Sequence, residues 1–281
     1  MASLRGKAAI VGIGEVPTRR VYPGRTMYGL CAEAAKLAID DAGLRKDDIN
    51  GLVTDGGYGA PATMAEYIGI RPTFATGVSM QGASGASATT AAAMAINGGL
   101  CNTVLVVMGN SRADRAGAGG PGPGVRSEWE EPYGMAPGAN TGYGLMYQRH
   151  MHEFGTTEEQ LAHLAVNQRF NALLNDNAVF KGQPITVDDV MSSRFINRPL
   201  KLLESVMPCD GAAALIVTTP ERAKALPNRP AYVLGVGMRQ AEANIWQRDR
   251  ITATPVSVSA PRAFEMAGYK PSDMEFAEFY D

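Results

Sequence analysis

The sequence predicts an α/β protein with layered sheets, on three observations. Short apolar runs of strand length alternate with helix-length stretches. Glycine (32 residues) and proline (17 residues) punctuate the runs as turn signals. Two blocks near the start of the chain recur in the same order near its end. With 281 residues, 45% of them hydrophobic and 19% charged, the chain can build a sizeable core.

Each element follows from a local pattern. Lys7 to Gly14 is a continuous apolar run ending in Gly12 and Gly14, the mark of a strand buried on both faces. Thr26 to Ala42 carries Tyr28, Cys31, Ala35, Leu37, Ala38 and Ile39 at near-helical spacing, and Gly43 stands where a left-handed cap is needed. Leu52 and Val53 begin a second strand. Ala83 to Asn97 is almost uncharged and rich in Ala, Ser and Thr, so it predicts a helix apolar all round and buried in the interior. Thr103 to Met108 reads as another buried strand, and Ala116 to Gly124 as a mobile surface loop with no regular structure. Thr156 to Ala172 opens with a capping box, Thr157 and Gln160, and places Leu161, Leu164, Ala165 and Phe170 on one side of an amphipathic helix. Asp210 to Thr218 supplies a further strand.

Composition excludes several function classes. Lysine plus arginine is 26 against 28 for aspartate plus glutamate, a net charge of -2, so no positive excess exists to hold nucleic acid or an anionic bilayer. The apolar run after Lys7 is too short for a signal-peptide core or a membrane span, and a cytoplasmic location is expected. Cys31, Cys101 and Cys209 form neither a disulfide framework nor a zinc motif and read as ordinary buried or partly buried thiols. His150 and His152, two apart on a helix, point to different sides and are poor joint metal ligands; no metal is expected. Gly12-Ile13-Gly14 lacks the third glycine and the following helix of a dinucleotide fingerprint.

The repeat is specific. Lys7-Ala-Ala-Ile-Val-Gly-Ile-Gly14 matches Pro230-Ala-Tyr-Val-Leu-Gly-Val-Gly237 at an offset of 223, with both glycines kept. Ala42-Gly43-Leu44 followed by Asp48-Ile49 reappears as Ala267-Gly268-Tyr269 followed by Asp273-Met274, at an offset of 225. Duplication divides the chain into residues 1–225, with a loop excursion at about 111–205, and residues 226–281, the start of a second half. That half holds counterparts of the first strand, first helix and second strand alone, so the chain is expected to be truncated or completed by another polypeptide.

A duplicated α/β chain with a small-residue helix and the Asp210-Gly-Ala-Ala-Ala strand resembles the thiolase superfamily. Tyr147, Phe154 to Ala162, Asn171-Ala172, Asp188-Asp189-Val190, Arg198-Pro199-Leu200 and Asp210 to Ala214 are similar to the sterol-carrier-protein type of thiolase. The resemblance implies a layered α-β-α-β-α fold. It also sets two departures in relief. Where thiolases begin the buried helix with a nucleophilic cysteine, this chain reads Gly82-Ala83-Ser84-Gly85, and none of the three cysteines lies at a comparable position. The strand that presents a catalytic histidine in those enzymes here reads Glu278-Phe279-Tyr280-Asp281. An acyl-enzyme needs the missing thiolate.

Cysteine-lacking, tyrosine-using thiolase-like aldolases of steroid side-chain degradation are the group that the chain most resembles. That resemblance implies retro-aldol cleavage of a β-hydroxyacyl-CoA to a ketone and a shorter acyl-CoA. Tyr280 would be the catalytic acid or base, with Asp281 orienting it, and a second catalytic tyrosine would lie beyond Asp281. Gly82, Ala83 and Ser84, the vacated nucleophile position and helix N-terminus, would bind the thioester and a developing enolate oxygen. Coenzyme A would enter as part of the substrate, with no cofactor bound by the chain. A homodimer and a small partner carrying an OB-fold and zinc ribbon are implied as well. Two alternatives stay open: a catalytically silent subunit that binds acyl-CoA or scaffolds an assembly, which Gln81, one position off the vacated one, keeps open, and a cysteine-independent acyltransferase.

Overall fold

The computed structural model describes residues 3–56, 60–111, 139–241 and 248–279. A six-stranded mixed sheet organises it. Its strands are β1 (Ala9–Arg19), β2 (Gly51–Asp55), β3 (Phe74–Val78), β4 (Thr103–Asn110), β7 (Asp210–Thr218) and β8 (Ala231–Tyr232), in the order β3-β2-β4-β7-β1-β8. β2 runs parallel to β3 and β4, while β7 is antiparallel to both β4 and β1. Two short strands, β5 (Phe195–Asn197) and β6 (Leu200–Lys201), pair on their own.

β1 continues five residues past the expected end at Gly14. Glu15 and Val16 still pair with Ala213 and Ala212, and a register shift before Arg19 accommodates Pro17, which has no N–H to give the ladder. Helix α1 (Met27–Asp41) starts at Thr26, whose hydroxyl accepts the Gly29 N–H at 3.1 Å. It ends at Gly43, φ +67°, with the Leu44 N–H on the Ile39 carbonyl, the left-handed closure that the glycine predicts. Leu30, Cys31, Ala34, Ala35, Ala38 and Ile39 are its buried stripe; Leu37, expected inward, sits on the rim and is 41% exposed.

α2 (Ala60–Ile68) and β3 are two elements that the sequence reading missed. α2 is a nine-residue helix with only Met64, Ala65 and Ile68 buried, and β3 is an edge strand with a glycine and half-buried alternation, so neither carries a strong periodic signal. α1 and α2 cover one face of the sheet, and α3 (Ser84–Asn97) covers the other. α3 is not buried all round. Ala88, Ala92 and Ala93 face the sheet, whereas Gly85 and Ala86 are exposed and Met94 is 50% exposed.

Between β4 and β7 the chain forms α4 (Ala139–Phe154), α5 (Glu158–Leu174), α6 (Val187–Ser192), β5 and β6. The capping box of α5 forms as expected between Thr157 and Gln160. Its side chains do not divide as expected: Leu164 is 46% and Phe170 56% exposed, and the fully buried residue of the helix is Ala162. α7 (Pro220–Ala223) follows β7, and α8 (Val256–Ala267) follows β8. The residues expected to form a loop at Ala116 to Gly124 lie outside the described residues.

The repeat is legible in three dimensions. A Cβ on Gly12 would meet the Ala38 carbonyl at 2.5 Å, and one on Gly14 the Ala34 carbonyl at 2.2 Å. In the second block, a Cβ on Gly235 would meet the Ala263 carbonyl at 2.0 Å, and one on Gly237 the Ser259 carbonyl at 1.9 Å. Both glycine pairs therefore let a helix backbone lie directly on the strand segment, at helix positions 225 residues apart. The helix ends correspond too: Gly268 has φ +69°, and the Asp273 carboxylate accepts the Lys270 N–H at 2.7 Å as Asp48 accepts that of Arg45 at 2.8 Å. The strand expected over 230–237 shrinks to Ala231–Tyr232, paired with Ile10 and Ala9. A strand is defined by its ladder, and among the described residues only the start of β1 flanks this segment.

Candidate functional site

The carboxyl ends of the parallel strands β2, β3 and β4 lie at one edge of the sheet, where open α/β proteins bind ligands. β3 delivers its chain to that edge at Val78, and a tight turn follows. Gln81–Ala83 is one turn of 3₁₀ helix, and the α-helix proper opens at Ser84. The Ala83 N–H bonds to the Met80 carbonyl at 3.1 Å and that of Ser84 to the Gln81 carbonyl. The Ser84 hydroxyl, 8% exposed, accepts the Met80 N–H at 2.9 Å and ties the turn to the helix. Gln81 is held at φ +51°, the only positive φ outside glycine among the described residues. Such a conformation costs a non-glycine residue about 1–3 kcal/mol.

This geometry brings Gly82, Ala83 and Ser84 together at the sheet edge, with Gly82 and Ala83 exposed and Ser84 buried. Gly82 makes no hydrogen bond through its amide among the described residues, so it is the one of the three whose N–H is open to an incoming oxygen. The turn itself, Met80 to Ser84, contains no cysteine. Cys31 and Cys101 are buried in the two apolar layers, with burial pushing the Cys101 thiol up, and Cys209 immediately precedes β7. Tyr280 and Asp281 lie outside the described residues.

The described part of the excursion meets the sheet at the same end, beside β1. It leaves β4 after Asn110 and returns at Asp210, and its loop after α5 touches the far end of β1, with Asn177 donating to Glu15 at 3.4 Å and the Phe180 ring between Arg169 and Arg20. Asp210, fully buried, accepts the Tyr22 N–H at 2.9 Å, and the Tyr22 hydroxyl donates to the Pro17 carbonyl at 2.6 Å. Ser111 donates to the Arg25 carbonyl at 2.7 Å. These bonds fix both roots of the excursion. On the α1 and α2 side of the edge a cavity of about 230 Å³ opens, lined among others by Tyr28, Cys31, Asp55, Met64 and Gly109.

Within the excursion, Tyr147 of α4 donates to the Thr157 carbonyl at 2.6 Å. Burial, together with the Glu204 and Glu158 carboxylates, pushes its hydroxyl up to about 12, so it remains a donor at all ordinary pH. Burial also raises the Glu204 carboxyl above its ordinary 4.5, against the opposing pull of the Lys201 N–H and ammonium. An acid raised in the folded state favours folding while protonated, and that advantage is lost as pH rises through its folded value. Glu204→Gln is therefore expected to remove a loss of excursion stability that the parent shows as pH climbs above 4.5. Hydrogen exchange of α4 and α5, compared between parent and variant from about pH 4 to about pH 8, checks this; equal pH profiles would defeat it.

His150 shares a hydrogen bond with Thr156 at 2.8 Å and its ring lies tilted against that of Phe154, centroids 4.6 Å apart, while His152 is exposed. Among the described residues no group of three His, Cys, Asp or Glu side chains could hold a metal ion, and no helix is long and apolar enough to cross a membrane.

No protein-family model matches the chain. It is 34% identical over 297 residues to a steroid side-chain-cleaving aldolase of Thermomonospora curvata, a match covering 100% of this chain and 75% of the relative. It is 30% identical over 296 residues to the 17-hydroxy-3-oxo-4-pregnene-20-carboxyl-CoA lyase of Mycobacterium tuberculosis, covering 99% of this chain and 76% of that one. A solved structure of an Ltp2-ChsH2(DUF35) aldolase superposes with a TM-score of 0.87 at 32% identity, over 96% of this chain and 72% of its own. The fold is shared with a monomeric SCP2-thiolase-like protein of Mycobacterium smegmatis, TM-score 0.74 at 22% identity, over 97% of this chain and 59% of that one.

The chain belongs to the thiolase superfamily, in its sterol-carrier-protein-type branch. Within that branch it falls with the aldolases: its class is carbon–carbon lyase.

Proposed function

We propose that the protein cleaves a β-hydroxyacyl-CoA with a tertiary hydroxyl, the acyl group being a steroid side chain, to a ketone and a shorter acyl-CoA. One observation carries the reading: the turn that opens α3 at the sheet edge presents a glycine, Gly82, and no thiol, in a chain that aligns with aldolases over three quarters of their length. Without a nucleophile no acyl-enzyme forms. Retro-aldol chemistry requires none. The substrate hydroxyl loses its proton as the Cα–Cβ bond breaks, the oxygen becomes the ketone, and the bond's electron pair passes into the thioester as an enolate. A proton returned to the enolate carbon completes the shorter acyl-CoA.

In this reading Tyr280 is the acid or base and Asp281 orients it. The Gly82 amide faces the enolate oxygen, while Ala83 and Ser84 shape the turn. Coenzyme A enters only as part of the substrate, and the chain binds no cofactor of its own. The solved structure that pairs Ltp2 with ChsH2(DUF35) supports a protein partner, and the small OB-fold and zinc-ribbon form of that partner belongs to the same proposal. A homodimer and a cytoplasmic location belong to the same reading, as does the division into residues 1–225 and 226–281, which the paired glycine contacts support.

Mass spectrometry of the products is the test. The protein and its partner are incubated with a β-hydroxyacyl-CoA bearing a tertiary hydroxyl on a steroid ring. Ketone with a shortened acyl-CoA and no free coenzyme A is the expected result. Release of free coenzyme A would replace the aldolase with a cysteine-independent acyltransferase, and tight binding without turnover would make the chain a silent subunit.

A further inference from the structure

Lys201 is the one lysine or arginine in the buried set of the described residues, with its side chain 2% exposed. An ammonium taken out of water is costly unless it is paired and hydrogen-bonded. Here Nζ pairs with the Glu158 carboxylate and lies 4.9 Å from the Phe195 ring centroid. The Lys201 N–H donates to the Glu204 carboxylate at 2.6 Å, and the Lys201 carbonyl accepts the Ser205 hydroxyl at 3.2 Å. Glu158 is the first residue of α5, and the residue before it, Thr157, receives the Tyr147 hydroxyl of α4. One buried cation thus joins α5, β5 and β6, and α4 is attached one residue away.

The position of this junction gives it its consequence. Nine residues after Lys201 the chain enters β7 at Asp210, whose carboxylate is fixed to the Tyr22 amide at the same sheet edge as the Gly82 turn. We propose that Lys201 is a positioning residue: its paired ammonium holds the excursion as one body and so sets where that body stands over the ligand-binding edge. The proposal rests on the acyl-CoA reading in one respect, that the thioester is bound between the excursion and that edge.

The test compares the 281-residue protein with Lys201→Met, which leaves the half-buried Glu158 carboxylate, 32% exposed, without its cation, and with Lys201→Met/Glu158→Gln, which removes both charges. Two readouts are taken: hydrogen exchange along the chain and the Kd of acetyl-CoA by calorimetry. In Lys201→Met, exchange in α5 and β5 is expected to rise at least about tenfold while β1, β4 and β7 keep theirs, and acetyl-CoA binding to weaken at least about tenfold. The double variant restores both to within about threefold. Unchanged exchange in α5 overturns the proposal. So does a loosened excursion that binds acetyl-CoA as the parent does. Loss of protection throughout the sheet, unrescued in the double variant, makes Lys201 a general stability residue and overturns it as well. A parent protein that binds no acetyl-CoA speaks against the acyl-CoA reading, and the exchange pattern then still decides whether Lys201 orders the excursion.

Discussion

Tyr280→Phe is expected to lower the rate of carbon–carbon cleavage by about 10²–10⁴-fold, the usual worth of one positioned acid or base. The change deletes one oxygen and keeps the ring, so acyl-CoA binding should stay within about threefold, and the loss should fall on kcat with KM nearly unchanged. A phenol has an ordinary pKa of about 10. Service as a base near neutrality therefore needs its anion stabilised, which a neighbouring carboxylate opposes, so Asp281 fits a tyrosine that acts as the acid: a carboxylate that orients the hydroxyl by accepting its hydrogen bond would be missed by about tenfold in kcat in Asp281→Asn. The measurement is steady-state kinetics on the steroid β-hydroxyacyl-CoA, with binding followed separately by calorimetry. Full activity in Tyr280→Phe would remove the tyrosine from the mechanism, and would leave the Gly82 turn without the proton-transfer partner that retro-aldol chemistry demands.

What the sequence made legible, and what it hid, follows from how each feature is encoded. Helix ends were written locally: Thr157 as a cap and Gly43 as the left-handed stop need only their own few neighbours, and both form as read, while Thr26, expected as the first helical residue, is the cap of its helix. The repeat was legible for a related reason, since two glycines two residues apart mark places where a helix backbone rests on a strand. Burial was less legible because it depends on what packs from elsewhere. α3 and α5 carry apolar residues that stay about half exposed, such as Met94 (50%), Leu164 (46%) and Phe170 (56%). α2 and β3 escaped notice because a nine-residue helix and a glycine-bearing edge strand draw their order from the sheet they join. At the site, the position of Gly82 was readable from the resemblance alone. The positive φ of Gln81 was not, since nothing in a glutamine announces it. The Lys201 junction was equally hidden, because a lysine in a sequence reads as surface until its partners are placed.

Gly14→Ala should be among the most destabilising single-methyl changes available in this protein, at about 3 kcal/mol or more. The added Cβ would stand 2.2 Å from the Ala34 carbonyl oxygen, 2.5 Å from the Ala38 nitrogen and 2.9 Å from the Leu37 Cβ. The first two are backbone atoms, so relief requires α1 to lift from β1 as a body and to open the apolar layer around Leu30, Ala34 and Ala38. In a chain of this size that corresponds to a fall of roughly 10 °C in Tm. Gly85→Ala is the control: its Cβ meets nothing within 4 Å, it lies inside α3, and helix propensity favours alanine by about 1 kcal/mol. Gly237→Ala turns the same clash, 1.9 Å from the Ser259 carbonyl, onto the second half. There the expected pattern differs, because α8 has no buried residue among its twelve and packs chiefly through the glycine segment. Its exchange protection should collapse while that of α1 and the central sheet holds. Since α8 precedes Tyr280 by thirteen residues in the sequence, the same variant is expected to lose cleavage activity in excess of its loss of global stability. If α1 and α8 lost protection together in Gly237→Ala, the two blocks would be one cooperative unit, and the glycine pairs would be repeats in sequence without being independent supports of two helices.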